Sequence, residues 1–187
     1  MKYKKSLVNF SKNLGFTLIE LLVVASIAGI ITTFMLISFQ RTRVNLSEST
    51  SIIISNIRSA QSKSNASTKY NDGSGTGLVI RCGYGVHYEN NTSFSIYTGP
   101  NATINNCSAQ NRNFDGNDFK ITLITLPDSR VEFKNSFNDI FFEPPSPTTY
   151  INNSSSGTLL TITIGKKGGI CPEDCKNINV STSGKIE

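Results

Sequence analysis

Residues 16–39 read FTLIELLVVASIAGIITTFMLISF. Leu, Ile, Val, Ala and Phe dominate, no proline interrupts, and Glu20 is the only charge. About 20 apolar residues in a helix cross the hydrocarbon layer of a bilayer, so this run predicts a membrane-spanning helix. A secretory signal peptide would have a shorter apolar core followed by a small-x-small cleavage site; here Gln40, Arg41 and Thr42 follow. Upstream stand Lys2, Lys4, Lys5 and Lys12 with no acid among them, and downstream only Arg41 and Arg43. That bias favours a single pass with the N-terminus in the cytoplasm and the remainder outside.

Glu20 does not suit a plain anchor. A carboxylate at a helix centre costs roughly 2.5–3.5 kcal/mol on insertion scales, and less near the interface. It could snorkel to the lipid headgroups, or it could be held for a partner.

The stretch Lys12-Asn13-Leu14-Gly15-Phe16-Thr17-Leu18-Ile19-Glu20, followed by Leu21-Leu22-Val23-Val24 and Gly29, resembles the class III signal of type IV pilins and pseudopilins. The resemblance covers about the first forty residues. It implies a leader, residues 1–15, removed by a prepilin peptidase between Gly15 and Phe16, and N-methylation of the new N-terminal Phe16. It also implies that Glu20 pairs with the N-terminal amine of a neighbouring subunit during assembly. The physics agrees, because opposite charges attract far more strongly in a low-dielectric setting than in water. Cleavage also creates the amine that Glu20 would meet.

The junction changes how the charge is read. The chain has 187 residues and a formal net charge of +5, and its pI is near 9.1. The four leader lysines account for +4 of that, leaving about +1 on the mature side chains. The basic balance therefore belongs to the leader, and it is no argument for nucleic-acid binding by the mature domain.

The four cysteines, Cys82, Cys107, Cys171 and Cys175, all follow the apolar run. An even count beyond a membrane segment fits disulfides in an oxidising compartment. Three pairings are possible; the local one, Cys82 with Cys107 and Cys171 with Cys175, is preferred. A zinc site is the rival, but Cys82 and Cys107 lack the usual short spacing. The CPEDC stretch has three residues between its cysteines rather than the two of thioredoxin-like motifs, so it reads as a stapled loop.

After residue 39 the helical period continues through Val44, Ile53, Ile57, Ala60 and Ser64, with Ile52 and Ile54 widening the apolar face. This gives an amphipathic stem over residues 40–70, which the Gly- and Asn-rich stretch Tyr70-Asn71-Asp72-Gly73-Ser74-Gly75 should end. Beyond it the period shortens. Strands are predicted over 77–81, 85–88, 94–97, 119–126, 130–133, 140–143, 158–164 and 177–181, with 185–187 closing the series. The expected fold is α+β: a long N-terminal helix, membrane-borne then amphipathic, packed on an antiparallel β-sandwich-like head over 71–187. The stem end, residues 57–66, and the order of the last strands resemble the GspH/FimT group of minor pseudopilins and minor pilins. Pro144-Pro145-Ser146-Pro147, in place of a Pro-x-Gly turn, and the CPEDC insertion depart from that pattern.

Other signals read as structural. His87 is the only histidine and fits a strand better than a catalytic device, so no enzyme activity, cofactor or metal is expected. Asp115-Gly116-Asn117-Asp118 resembles part of a calcium loop but lacks the rest of an EF-hand, and a polar turn accounts for it. Asn-x-Ser/Thr triplets such as Asn90-Asn91-Thr92 arise by chance in an Asn- and Ser-rich chain. Lys166, Lys167, Lys176 and Lys185 could grip a phosphate backbone, as in DNA-uptake pilins; a solvated edge that deters strand aggregation accounts for them more simply. The expected partners are the prepilin peptidase, other pilin or pseudopilin subunits and the inner membrane. The readings carried forward are a minor structural subunit, a tip-located module that binds DNA or surfaces, and a major pilin. The last is disfavoured because major pilins often carry a proline within the apolar helix.

Overall fold

The computed structural model describes residues 17–187 apart from 72, 74, 76, 104 and 145–147, with the backbone alone for 37–45. The leader lysines, Gly15 and Phe16 lie outside the described residues. The chain divides into two compact units, Met1–Arg41 and Thr42–Glu187.

One helix, α1, spans Leu18–Asn65. In the first unit its segment Leu18–Leu36 has a mean hydropathy of 2.2 and buries nothing. At 1.5 Å per residue these 19 residues rise about 28 Å, close to the hydrocarbon thickness of a bilayer. Their hydroxyls turn inward onto the helix: Ser26 donates to the Leu22 carbonyl (2.8 Å), Thr32 to Ala28 (2.9 Å) and Thr33 to Gly29 (2.8 Å). No polar group of these three faces lipid without a partner.

In the second unit the rest of α1 presents one buried stripe: Leu46, Ser49, Ile53, Ile57, Ala60 and Ser64. Val44 belongs to that stripe in the sequence, but its side chain lies outside those described. Ser64 suits the stripe because its hydroxyl donates to the Phe142 carbonyl at 2.6 Å. The helix ends at Asn65, short of the Gly-rich stretch expected to stop it. Ser67 adopts φ +45°, its N–H donates to Ser64 O (2.8 Å), and the Thr68 N–H reaches back to Lys63 O (3.0 Å). This is a Schellman cap with serine at the position where glycine is usual.

Ten strands follow: β1 (Lys69–Tyr70), β2 (Val79–Ile80), β3 (Tyr84–Asn90), β4 (Ser93–Thr98), β5 (Phe119–Thr125), β6 (Val131–Phe133), β7 (Ile140–Glu143), β8 (Thr148–Ile151), β9 (Leu159–Lys166) and β10 (Cys175–Ser181). They form three antiparallel sheets ordered β5-β4-β3-β7-β8, β10-β9-β6 and β1-β2. The expected C-terminal segment is present as a bridge, with Asn179 and Glu187 exchanging backbone bonds of 2.7 and 3.0 Å. Strands β1 and β8 were not anticipated.

One core joins Ile53, Ile57 and Ala60 of α1 to Val86, Phe94, Ile96, Ile140 and Phe142 of the larger sheet and to Ile162, Ile164, Ile178 and Val180 of the smaller one. The fold is therefore α+β, as predicted. The other face of the larger sheet is covered by the segment between β4 and β5. There the rings of Tyr97 and Phe141 stack with centroids 5.9 Å apart. Gly85 pairs in register with both residues, and a side chain on it would occupy the place of the Tyr97 ring.

Cys82 and Cys107 lie at disulfide distance, Cα to Cα 5.2 Å, as do Cys171 and Cys175. The local pairing preferred from the sequence is the one present. Their sequence separations, 25 and 4 residues, give chain-entropy stabilisations of about 3.5 and 2 kcal/mol respectively. The first pair thus matters more to the head; the second shapes a surface loop.

Candidate functional site

The start of α1 carries the residue that sequence reasoning weighted most. Thr17 precedes the first helical residue, and Glu20 sits in the first turn. Glu20 Oε2 accepts from the Thr17 N–H (3.3 Å) and the Thr17 hydroxyl (3.1 Å), and the Glu20 N–H donates to Thr17 Oγ1 (3.3 Å). This is a capping box, in which two orphan amides of a helix start are satisfied reciprocally. The Thr-x-x-Glu spacing is the sequence signal of this box, and Glu20 is its third helical position. Its carboxylate also lies at the positive end of the helix dipole. Around it Leu18, Ile19, Leu21 and Leu22 are 55–83 % exposed, so the carboxylate stands in an apolar, uncovered collar.

The second polar cluster lies on the loop-covered sheet face. His87 Nδ1 is 2.7 Å from Asp139 Oδ1, and Asp139 Oδ2 accepts from the Phe114 N–H at 2.7 Å. The Phe114 ring lies 4.7 Å from the imidazole and 5.3 Å from Tyr97, whose hydroxyl donates to Arg112 O at 2.8 Å. The Arg112 guanidinium donates to Glu143 (3.0 and 3.3 Å), Gln110 O and Ser108 O, and lies over the Tyr150 ring. These contacts fasten the segment between Cys107 and β5 to the sheet. Ser95, opposite His87 in β4, is fully buried.

The segment Asp115-Gly116-Asn117-Asp118 forms a turn closed on itself: Asn117 N–H to Asp115 Oδ1 (2.7 Å), Asp115 N–H to Asp118 Oδ2 (2.9 Å) and Asp118 N–H to Asp115 O (3.2 Å). Among the described residues no group of three or more His, Cys, Asp or Glu is arranged to hold a metal. Burial raises the Asp118 carboxyl to about 7, and the charges of Asp115 and Asp139 add to the rise against the Asp115 backbone bond that opposes it. A carboxyl whose folded value exceeds its unfolded one, 3.8, gains protons on folding. It favours the fold at low pH, and the head loses stability as pH rises from about 4 to about 7. The full shift would correspond to about 4 kcal/mol; partial solvation reduces it to about 1–2 kcal/mol. Asp118→Asn retains an acceptor for the Asp115 amide. It is expected to raise Tm by about 3–6 °C at pH 8 and to leave it unchanged near pH 4, as read by circular dichroism.

The four candidate lysines do not converge. Lys166 ends β9, Lys167 follows it in a turn, and Lys176 lies near the start of β10, opposite Ile164. Lys185 sits beside Ser181 at the far end of β10 and pairs with Glu187. Five residues of strand, about 16 Å, separate the two ends, and Glu173 and Asp174 stand beside the first group.

The family model for the prokaryotic N-terminal methylation motif matches residues 10–36. The match spans Gly15, Phe16, the capping box and the whole apolar segment Leu18–Leu36. No curated protein and no solved structure matches the chain. A methylation motif on an N-terminal apolar helix supports a type IV pilin-like or pseudopilin subunit in general. It implies processing by a prepilin peptidase, membrane anchoring through the N-terminus and assembly with other pilin subunits.

Proposed function

We propose that this chain is a minor subunit of a type II secretion pseudopilus or type IV pilus, of the GspH/FimT kind, with a structural role in assembly. The observation that carries this reading is the methylation motif, matched over residues 10–36, whose described part includes the apolar segment Leu18–Leu36 that buries none of its surface. In this reading the prepilin peptidase cuts between Gly15 and Phe16, Phe16 is N-methylated, and Glu20 meets the N-terminal amine of a neighbour. Before assembly the helix is held in the cytoplasmic membrane with the leader lysines inside and the head outside. The proline-free run 16–39 favours a minor over a major subunit. A tip module gripping DNA draws no support from the lysines, which lie at two ends of β10 with acids beside them. Quantitative mass spectrometry of purified filaments tests the minor role: the chain is expected as a small minority beside a dominant subunit, and dominance by this chain would make it the major pilin.

A further inference from the structure

β5 is the outer strand of the five-stranded sheet. Among the described residues no backbone group outside β4 pairs with it. Other outer edges are covered at least in part: Asn179 and Ser181 of β10 bond to the C-terminal segment, Phe133 of β6 donates to Asn91 O, and Ile151 of β8 donates to Ser154 O. The ladder fixes which groups of β5 are free. Leu126 N–H donates to Thr92 O at 2.9 Å, and the pairs Ile124↔Phe94 and Thr122↔Ile96 follow at two-residue steps. In an antiparallel ladder the bonded pairs alternate. The backbones of Thr122 and Ile124 therefore face β4, while the N–H and C=O groups of Leu123 and Thr125 point away from the sheet.

A free edge of this kind accepts another strand, because a row of backbone donors and acceptors is matched by a second backbone. The side chains narrow the choice of strand. Leu123 is 57 % exposed. The only charge on β5, Lys120, is engaged by Glu89, so the strip offers no free charge for a partner to read. The run Ile121-Thr122-Leu123-Ile124-Thr125 is nearly symmetrical about its centre. Laid antiparallel on itself, it sets Leu123 against Leu123, Thr122 against Ile124 and Ile121 against Thr125. Every flanking rung then joins two β-branched residues, and no rung opposes like charges. The bulge at Ile121, between Lys120 and Thr122, makes Ile121 against Thr125 the outermost rung and leaves the regular pairing to the three rungs centred on Leu123.

We propose that β5 is a self-pairing edge, through which the head joins the head of a second copy of this chain about Leu123. The pairing does not depend on the filament reading. It joins two sheets into one, and its small area, well below the ~800 Å² per partner of a standard interface, makes it weak and reversible, so the test traps it.

Directly opposed residues of a bonded antiparallel pair have Cα atoms about 5.5 Å apart, within disulfide reach. Full-length protein in membrane vesicles carrying Leu123→Cys is therefore expected to give interchain disulfide dimers on mild oxidation, with the native disulfides verified by peptide mapping. Two controls share its anchor and its concentration. Phe119→Cys lies on the same strand and is 38 % exposed, but its two copies would stand about 27 Å apart in this register. Ile170→Cys is 80 % exposed on the CPEDC loop. The expected result is a dimer yield at Leu123 at least ten-fold above both controls. Equal yields at the three positions, or a yield at Phe119 matching that at Leu123, would overturn the proposal.

Discussion

Replacing Glu20 by leucine is expected to lower incorporation of the subunit into sheared filaments at least ten-fold relative to its membrane pool, measured by quantitative immunoblot. The expected loss has two sources. Leucine removes the cap on α1, in which Glu20 holds the Thr17 amide and hydroxyl; lost caps cost about 0.5–2 kcal/mol. On the proposed pairing it also leaves a neighbour's amine without its counter-charge in an apolar setting, and breaking a buried pair typically costs about 3–5 kcal/mol. Glu20→Gln separates the two, because glutamine serves at the third position of a capping box but carries no charge. If the charge pairs with the amine, the glutamine variant assembles nearly as poorly as the leucine variant. Wild-type assembly by Glu20→Gln would reduce the residue to a cap.

Gly83→Ala is expected to unfold the head most severely among small substitutions. A methyl group there would fall on the Phe142 carbonyl oxygen and on the edge of the Phe141 ring. Backbone cannot swing aside as a side-chain tip can, so the β3–β7 pairing at Tyr84↔Phe142 must open. Overpacking costs about 1–3 kcal/mol, and a clash with backbone falls at the upper end, a fall in Tm of about 10 °C for a unit of this size. Gly116→Ala is the control. Its new methyl group would meet nothing within 4 Å, and its Tm should stay within about 2 °C of wild type. Equal melting of the two variants would contradict the packing described for this sheet face.

The contrast between these two positions shows what the sequence reveals. The apolar helix and the methylation motif are legible because both are written in consecutive residues. Strands with alternating or continuous apolar residues, such as β4, β7 and β9, are legible for the same reason. The stop of α1 is not, because serine at φ +45° is an uncommon choice for a Schellman cap and the glycines downstream are the louder signal. β8 is hidden because Thr148–Ile151 follows three prolines within four residues and buries only alternate side chains. The His87–Asp139 contact spans 52 residues, and no local pattern announces a partner at that distance. Nor does composition reveal that Gly83 and Gly85 make room for rings on neighbouring strands. The free edge of β5 is likewise a property of topology, although the symmetry of its residues is plain once the edge is known.

We propose that the Gly15–Phe16 junction separates a discarded leader from an assembling subunit. Mass spectrometry of the N-terminal peptide, from cells with and without prepilin peptidase, tests it most directly. With the peptidase present, the account predicts a chain that begins at Phe16 and carries a single N-methyl group; without it, a chain that retains residues 1–15. A chain that keeps its leader in the presence of the peptidase, or one cut at another bond, would contradict it.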